Sequence, residues 1–207
     1  MMGQKALGND PYNIVIAGVG GQGNVLASRI LGNMMSRRDL CVTIGETFGA
    51  SQRGGSVMSH LRISSETSWS PQIPKGRAHM VVALEPIEAI RVLRDYGNPD
   101  TKALCNSRPI HPVGVIAGDL DYPPIQELKT WIRELSGTFW FVDATDVALE
   151  LGDPVLGNVV MLGALAEVGE LPILREDFEA VILENLPTAK VDINLSAFDQ
   201  GVKLARN

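Results

Sequence analysis

The 207-residue sequence has few of the side chains that hold metals. It contains two cysteines, Cys41 and Cys105, and three scattered histidines, His60, His79 and His111. A four-iron cluster requires four cysteine thiolates, and a structural zinc site of the four-cysteine type requires as many. The sequence therefore argues against a metal centre held by this chain alone, and it favours buried, unreactive positions for both cysteines.

The sequence also lacks the features of nucleic-acid and membrane binding. It has 18 Lys and Arg against 24 Asp and Glu, a net charge of −6, and no basic stripe of the kind that binds phosphate backbones. No apolar run reaches the roughly 18 residues of a membrane-spanning helix. Residues 1–10 are polar and do not resemble a signal peptide. We therefore expect no nucleic-acid partner, no membrane contact and a cytoplasmic location.

What is present is the composition of a globular protein. Hydrophobic residues make up 45% of the chain and charged residues 20%, both ordinary values for folded domains. A chain of this length buries a sizeable core. We expect one domain over residues 1–207.

Short apolar runs alternate with amphipathic segments through the first two thirds of the chain. Strands are predicted at Tyr12–Ala17, Cys41–Gly45, Gly54–Ile63, His79–Leu84, Ala103–Cys105 and Thr138–Val142, with a short antiparallel return strand at Ser68–Ser70. Helices are predicted at Gln22–Arg37, from Glu85-Pro86 to Gly97, and at Pro123–Ser136. The first is expected to place Leu26, Ile30 and Met34 on one face, with Ala27 and Leu31 beside them. The second is expected to carry Ile87, Ile90 and either Leu93 or Arg94 on its apolar face.

Strands separated by helices predict parallel crossovers and a sheet covered on both faces. The expected fold class is α/β, with a Rossmann-like, doubly wound, mostly parallel sheet, a local hairpin near Ser64 and a helical C-terminal third. The helix predicted at Val155–Val168 is so apolar that we expect it to be buried or to form a subunit contact, which makes self-association of the isolated chain plausible.

The most informative motif is Gly18-Val-Gly-Gly-Gln-Gly23, which follows the first strand and opens the first helix. Free backbone N–H groups and the positive end of a helix dipole make such a turn a suitable anion site. Gly18, Gly20, Gly21, Gln22 and Gly23 are therefore candidate binding residues for a phosphate or a carboxylate. The alternative is that the glycines allow close packing of helix and strand, or the approach of another chain.

Two other segments follow strand two and are candidate binding residues as well. Glu46 resembles the acidic residue that accepts hydrogen bonds from a ribose in dinucleotide-binding folds, although the glycine loop has one glycine more than that pattern. Arg53 stands beside Gly54 and Gly55, so its guanidinium could reach an anionic ligand or an acidic residue of a partner. The alternative for Arg53 is an ordinary exposed loop position.

Four further polar residues are interpreted mainly as structural. Glu85 lies at a helix start, where a carboxylate caps the helix and is favoured by its dipole. Asn106 and Asp143 follow strands and are interpreted as turn or capping residues. Asn158 lies in an apolar helix, and because a buried amide needs partners we expect it to tie that helix to a neighbouring loop.

Seven segments together resemble a known family. In chain order they are Gly18–Gly23, Gln52-Arg-Gly-Gly-Ser-Val57, Ser59-His-Leu-Arg62, Ser70-Pro-Gln-Ile-Pro74, Ala83-Leu-Glu-Pro-Ile-Glu-Ala89, Asn106-Ser-Arg-Pro-Ile-His-Pro112 and Asn158-Val-Val-Met-Leu-Gly-Ala164. This set resembles the gamma module of 2-oxoacid:ferredoxin oxidoreductases, and within it the beta subunits of indolepyruvate:ferredoxin oxidoreductases. The likeness covers roughly residues 12–170. It departs from the common pattern at Ala50, where methionine is commoner, which leaves the substrate less defined than the family.

The resemblance implies a small subunit whose redox centres lie elsewhere. In that family thiamine diphosphate and the iron–sulfur clusters reside on a large alpha subunit, which decarboxylates the 2-oxoacid, passes electrons to ferredoxin and transfers the acyl group to coenzyme A. It implies docking of this chain on the large subunit and indirect contact with ferredoxin, and it makes coenzyme A a candidate ligand at the interface. The glycine-loop amides and Arg53 are then candidates for a coenzyme A phosphate or a partner carboxylate.

Two other functions are compatible with the residues alone. A nicotinamide-dependent dehydrogenase would use the glycine loop and Glu46 for its cofactor, but it also needs an acid–base residue on a second lobe, and the C-terminal third offers mostly apolar helices. A stand-alone module that binds a nucleotide or an acyl-CoA would need the loop alone.

Overall fold

The chain folds around a single six-stranded sheet. The structure is a computed structural model that describes residues 7–48, 55–168 and 171–206. The strands are β1 (Tyr12–Val19), β2 (Cys41–Phe48), β3 (Ser56–Ser64), β4 (Met80–Ala83), β5 (Lys102–Asn106) and β6 (Thr138–Val142). Their order across the sheet is β2-β3-β1-β4-β5-β6.

The sheet is mostly parallel, as expected. Strands β1, β4, β5 and β6 pair in parallel, each with the next. Strand β3 is antiparallel to both β1 and β2, so β2 shares the common direction and β3 is the one strand among those described that opposes it.

The hairpin lies elsewhere than predicted. The antiparallel pairs are β2 with β3 and β3 with β1, in a register that sets Glu46 opposite Ser59 and Ser59 opposite Ile16. Ser68–Ser70 is not a strand. The guanidinium of Arg62 holds that segment instead, because its carbon lies 4.9 Å from the Trp69 ring centroid and its Nη1 donates to the Ser70 carbonyl at 3.3 Å.

Helices follow the strands and fill the C-terminal third. They are α1 (Asn24–Ser36), α2 (Pro86–Tyr96), α3 (Val113–Ile116), α4 (Ile125–Glu134), α5 (Ala144–Glu150), α6 (Gly157–Val168), α7 (Arg175–Asn185) and α8 (Val191–Ala205). Short 3₁₀ turns occupy Pro154–Leu156 and Thr188–Lys190. The short helix α3 lies in the segment between β5 and α4.

The two faces of the sheet have separate cores. Side chains alternate along β1, so Ile14 and Ile16 join one core while Val15 and Ala17 join the other. The first core is closed by α1 and by the C-terminal helices α5–α8, and the second by α2 and α4. Covering on both faces confirms the doubly wound arrangement.

Most of the core residues predicted for α1 are buried, and those predicted for α2 are buried in part. In α1, Ala27, Ile30, Leu31 and Met34 are buried as expected, whereas Leu26 is 42% exposed. In α2 the contacts with the core come from Ala89, Val92, Leu93 and Tyr96, so Leu93 rather than Arg94 faces the core, and Ile87 and Ile90 are only partly buried. The apolar residues of α2 cover more than one face, so their spacing alone did not identify its core side.

Helix α6 is covered by the chain's own elements. It packs on α8, and glycines bring the two backbones together: a Cβ at Gly201 would lie 1.9 Å from the Val160 carbonyl, and one at Gly163 would lie 2.0 Å from that of Phe198. Because α6 is buried within the chain, its apolar character gives no support to the expected subunit contact. Within the described ranges no helix is both long enough and apolar enough to cross a bilayer.

Candidate functional site

The carboxyl edge of the sheet forms a cleft beside the glycine motif. Strands β1, β4 and β5 end there, and helices α1 and α6 begin there. We call this space, of about 380 Å³, the glycine-loop cleft. Its walls are residues 19–22, Leu84, Asn106, residues 108–110, Thr145, Pro154, Val155, Gly157 and Asn158. Ligands of open α/β sheets gather at this edge.

Backbone conformation explains the last two glycines of the loop. Gly21 has φ +107° and Gly23 has φ +84°, in the left-handed region that side chains disfavour. A Cβ on Gly23 would also lie 2.0 Å from Nδ2 of Asn158, whereas one on Gly21 would meet nothing within 4 Å. Positive φ therefore favours glycine at both positions, and the contact with Asn158 adds a second requirement at Gly23.

The side chain of Gln22 holds the loop to the sheet. Its Oε1 accepts from the Val19 N–H at 2.7 Å, and its Nε2 donates to the Leu84 carbonyl at 2.8 Å. A Cβ on Gly18 would lie 2.7 Å from that Oε1, so Gly18 leaves room for the bridge. Gln22 thus links the ends of β1 and β4, and both polar atoms of its side chain are already paired.

The loop offers fewer free amides than its sequence suggests. The Gly20 N–H donates to the Gly55 carbonyl at 2.8 Å, and the Gln22 N–H donates to the Val19 carbonyl at 3.1 Å. The N–H groups of Gly21 and Gly23 donate to no described residue, and α1 has no side-chain cap. The backbone N–H groups that remain available for the predicted anion site are therefore those of Gly21, Gly23 and the first turn of α1.

Asn158 joins α6 to the glycine loop, as expected of a buried amide. The residue is 2% exposed, and its Nδ2 lies 3.5 Å from the carbonyl oxygens of Gln22 and Gly23. Its Oδ1 has no hydrogen-bond partner in the described part of the chain.

Asn106 is a structural tie between two strands and a helix. Its Nδ2 donates to the Leu84 carbonyl at 3.1 Å and to Oγ1 of Thr145 at 2.8 Å, and its Oδ1 accepts from the Thr145 N–H at 3.2 Å. The turn or capping interpretation of Asn106 is confirmed. Asp143 stands at the start of α5, where its carboxylate accepts from the Ser107 hydroxyl rather than from the helix.

A second cleft, of about 230 Å³, lies on the α2 side of the loop and contains two buried carboxylates. We call it the acidic cleft. Glu85 is 1% exposed, and its Oε2 accepts from the Glu88 N–H at 3.0 Å, which confirms the predicted cap of α2. Glu88 accepts from the Ser56 hydroxyl and from Nη1 of Arg91 at 2.9 Å.

Glu85 also holds the chain segment that separates the two clefts. Its Oε1 accepts from the Tyr122 hydroxyl and, at 3.5 Å, from the Ile110 N–H. Burial raises the pKa of the Glu85 carboxyl. Burial and the hydrogen bond to Glu85 raise the pKa of the Tyr122 phenol. Tyr122 was not predicted as a site residue, because it acts through Glu85, which lies on a distant element.

We call residues 107–122 the strap. It runs from the end of β5 along both clefts, and Ile110 lines each of them. Besides the bonds to Glu85, Arg108 forms an ion pair with Asp146 at 2.9 Å. The outer side of the strap is apolar and exposed, with Val113 81% exposed beside Ile116 and Leu120.

Of the remaining predicted site residues that the structure describes, Glu46 lies away from the cleft. Glu46 lies inside β2 rather than after it, and its Oε1 is 3.8 Å from Nε of Arg29. Strand β3 separates β2 from β1, whereas the dinucleotide pattern places the acidic residue on the strand beside β1. Gly55 contacts the loop through its carbonyl, and Arg53 and Gly54 lie outside the described residues.

Comparison with known proteins identifies the family. Residues 13–204 match the family named pyruvate ferredoxin/flavodoxin oxidoreductase. The chain belongs to this family.

Curated family members are similar over nearly their full length. The chain is 38% identical over 196 residues to indolepyruvate oxidoreductase subunit IorB of Pyrococcus horikoshii, covering 94% of this chain and 96% of that one. The IorB subunit of Thermococcus kodakarensis has the same identity and coverage.

Solved structures of the family share the fold. A 2-oxoglutarate:ferredoxin oxidoreductase from Magnetococcus marinus, with 2-oxoglutarate, coenzyme A and succinyl-CoA bound, superposes with a TM-score of 0.72 at 23% identity. The match covers 96% of this chain and 31% of that one, so in that enzyme the fold forms one part of a longer polypeptide.

Proposed function

We propose that this chain is the small subunit of an indolepyruvate:ferredoxin oxidoreductase, acting with a large subunit on indolepyruvate or a related aryl 2-oxoacid. The observation that carries the proposal is the full-length similarity to two IorB subunits at 38% identity. The family match over residues 13–204 supports the broader assignment to a 2-oxoacid:ferredoxin oxidoreductase.

The cofactors are proposed to lie mainly on the partner. Thiamine diphosphate and iron–sulfur clusters are assigned to the large subunit, with ferredoxin as the electron acceptor of the complex. The two cysteines do not form a cluster site, because Cys41 is on β2 and Cys105 on β5, with three strands between them. Among the described residues no three His, Cys, Asp or Glu side chains form a metal-binding group.

The site on this chain is proposed to be the edge that carries the glycine loop. Gly21 and Gly23 retain N–H groups that donate to no described residue, and Gly18, Gly20, Gln22 and Gly55 shape the loop around them. Arg53 and Gly54 remain candidates for an anion or a partner carboxylate. Glu46 remains a candidate for polar contact, though its ion pair with Arg29 and its place on β2 favour a structural role.

Reconstitution tests the proposed function. The chain should show no oxidation of indolepyruvate by itself, and it should restore coenzyme A-dependent reduction of ferredoxin when co-expressed with a large thiamine and iron–sulfur subunit. Pyruvate and 2-oxoglutarate serve as comparison substrates. Turnover by the isolated chain, with or without NAD, would overturn the proposal.

A further inference from the structure

We propose that the opposite edge of the sheet carries a separate binding site, which takes the oxyanion of a small ligand, a carboxylate or a phosphate group. The parallel strands β1, β4 and β5 begin at this edge, whereas the glycine loop lies where they end. A cleft of about 460 Å³ opens there, and we call it the amino-edge cleft. This site lies outside the proposed function, and its assignment does not depend on that function.

The backbone of residues 76–79, which line the amino-edge cleft, is held in place by hydrogen bonds. Every N–H and carbonyl group of this segment has a partner within the chain. Asn98 contributes two of these bonds, since its Nδ2 donates to the carbonyls of Gly76 at 3.0 Å and Ala78 at 3.2 Å. Thr101, which is fully buried, donates its hydroxyl to the same Ala78 carbonyl at 2.7 Å. A fixed backbone limits the conformational freedom that a ligand would have to remove on binding.

The ring of His79 lines the cleft and carries an unused hydrogen-bond donor. Its Nδ1 accepts from the Asn13 N–H at 2.9 Å, so the neutral ring carries its proton on Nε2. Burial and the positive charge of Arg77 lower the pKa of His79, which favours this neutral form. The Nε2–H group donates to no residue in the described ranges, so it remains available to an acceptor from outside the chain.

Arg77 supplies a positive charge that no described residue neutralises. Its side chain is exposed, and within the described ranges it forms no ion pair, hydrogen bond or ring contact. Every other arginine in those ranges has such a partner, whether a carboxylate, a neutral oxygen or an aromatic ring. A guanidinium can donate two parallel bonds to an oxyanion, and the neighbouring imidazole N–H can donate a third.

The other charged residues of the wall are Lys102 and Asp100. Lys102 adds a second positive charge to the cleft. Asp100 is the one acidic residue among the described lining residues, and because it is exposed, solvent screens its repulsion of an anion. The groups without a partner in the described part of the chain, Arg77 and the His79 Nε2–H, are both donors, so the cleft favours an anion that only accepts hydrogen bonds.

Nuclear magnetic resonance of the labelled full chain tests this assignment through the Nε2 signal of His79. Sodium phosphate is added to one sample and sodium malonate to another, with the ionic strength held constant by sodium chloride and the pH at about 8, above the usual pKa of histidine. We expect a saturable shift with a dissociation constant on the order of 1 mM. Saturation by phosphate alone identifies a phosphate group as the ligand, saturation by malonate alone a carboxylate, and saturation by both an oxyanion of either kind.

Two variants separate recognition in the cleft from general attraction of anions. Arg77→Gln removes the unpaired charge and should weaken binding about tenfold or more, the effect of losing a hydrogen-bonded charge. Arg94→Gln is the matched control, because it removes an exposed arginine that pairs with Asp95 at 3.4 Å and does not line the cleft. It should change the affinity less than about twofold, since solvent screens the more distant charge. Both positions are exposed, so both variants should fold, which circular dichroism checks.

Three results would overturn the assignment of an oxyanion site. They are the absence of a saturable shift of the His79 Nε2 signal with either anion, an unchanged affinity in folded Arg77→Gln, and an equal loss of affinity in Arg77→Gln and Arg94→Gln. None of them bears on the reconstitution experiment, which uses the large subunit and measures ferredoxin reduction. Failure of the amino-edge site and failure of the proposed function are therefore distinguishable.

Discussion

The two clefts beside the glycine loop share one edge of the sheet and differ in chemistry. The glycine-loop cleft, on the α6 side, is apolar and presents neutral amides. The acidic cleft, on the α2 side, contains Glu85 and Glu88, both almost fully buried. Val19 and Ile110 line both spaces. We propose the first as the ligand site, whereas the carboxylates of the second hold the wall between the two clefts in place.

The largest effect is expected at Gly23, because the backbone there lies close to the Asn158 side chain of α6. Gly23→Ala should lower the free energy of unfolding by about 3 kcal/mol, because it combines strain at positive φ with a clash against Asn158. Gly21→Ala has the strain without the clash and should cost about 1 kcal/mol. Urea denaturation measures both, and equal losses would contradict the assigned role of Asn158.

A substitution at Tyr122 tests whether the hydrogen bond to Glu85 holds the strap at the acidic cleft. Tyr122→Phe removes the hydroxyl that bonds Glu85 and should lower the free energy of unfolding by about 1–2 kcal/mol. Amide hydrogen exchange of the strap should accelerate, most clearly at the Ile110 N–H. Val113→Ala alters an exposed strap residue and should change neither quantity. Unchanged exchange in Tyr122→Phe would show that the bond between Tyr122 and Glu85 does not hold the strap.

The pH dependence of stability should reveal the buried carboxylate. Because the pKa of Glu85 is raised in the folded chain, the folded state holds its proton to higher pH than the unfolded state. This group therefore contributes stability that is complete below its usual pKa and is lost as the pH rises through the raised value. Glu85→Gln should remove that loss, which denaturation at several pH values measures. An identical pH profile in Glu85→Gln would show that Glu85 does not cause this loss of stability.

The smallest effect is expected at the rim of the glycine-loop cleft. Arg108→Gln removes one partner of an ion pair in which both side chains are about half exposed. Solvent screening limits such pairs, so stability should change by less than about 1 kcal/mol. Urea denaturation measures this change. A loss of more than about 2 kcal/mol would mean that the pair is not screened by solvent and would weaken the contrast with the buried carboxylates of the acidic side.

Local patterns in the sequence predicted the elements better than their arrangement. The apolar run at the start of the chain and the glycine motif after it identified β1, the loop and α1, because each signal lies within a few residues. The insertion of β3 between β1 and β2 was not predicted, because strand order depends on pairing between distant segments. The return strand predicted at Ser68–Ser70 was wrong because both edges of the neighbouring strand β3 are already paired, with β1 and with β2.

Among the residues of the candidate site, too, local motifs were recognised and contacts between distant segments were not. Gly21 and Gly23 were recognisable from the motif, and the capping role of Glu85 from its position before Pro86. The use of Gln22 to bridge to Leu84, and of Tyr122 to bond Glu85, was not visible, since each joins residues far apart in sequence. Those long-range bonds decide which polar groups remain free for a ligand.

The contact between α6 and α8 has a consequence for the cleft. Backbone meets backbone at Gly163 and Gly201, so the two helices cannot slide or separate without breaking the core between them. Asn158 stands on the first turn of that fixed helix, whereas the strap across the cleft is held largely through the side chains of Glu85 and Asp146. One wall of the cleft is therefore rigid. A bulkier residue at Gly201 would push α6 away from α8 and so displace Asn158, although Gly201 does not line the cleft.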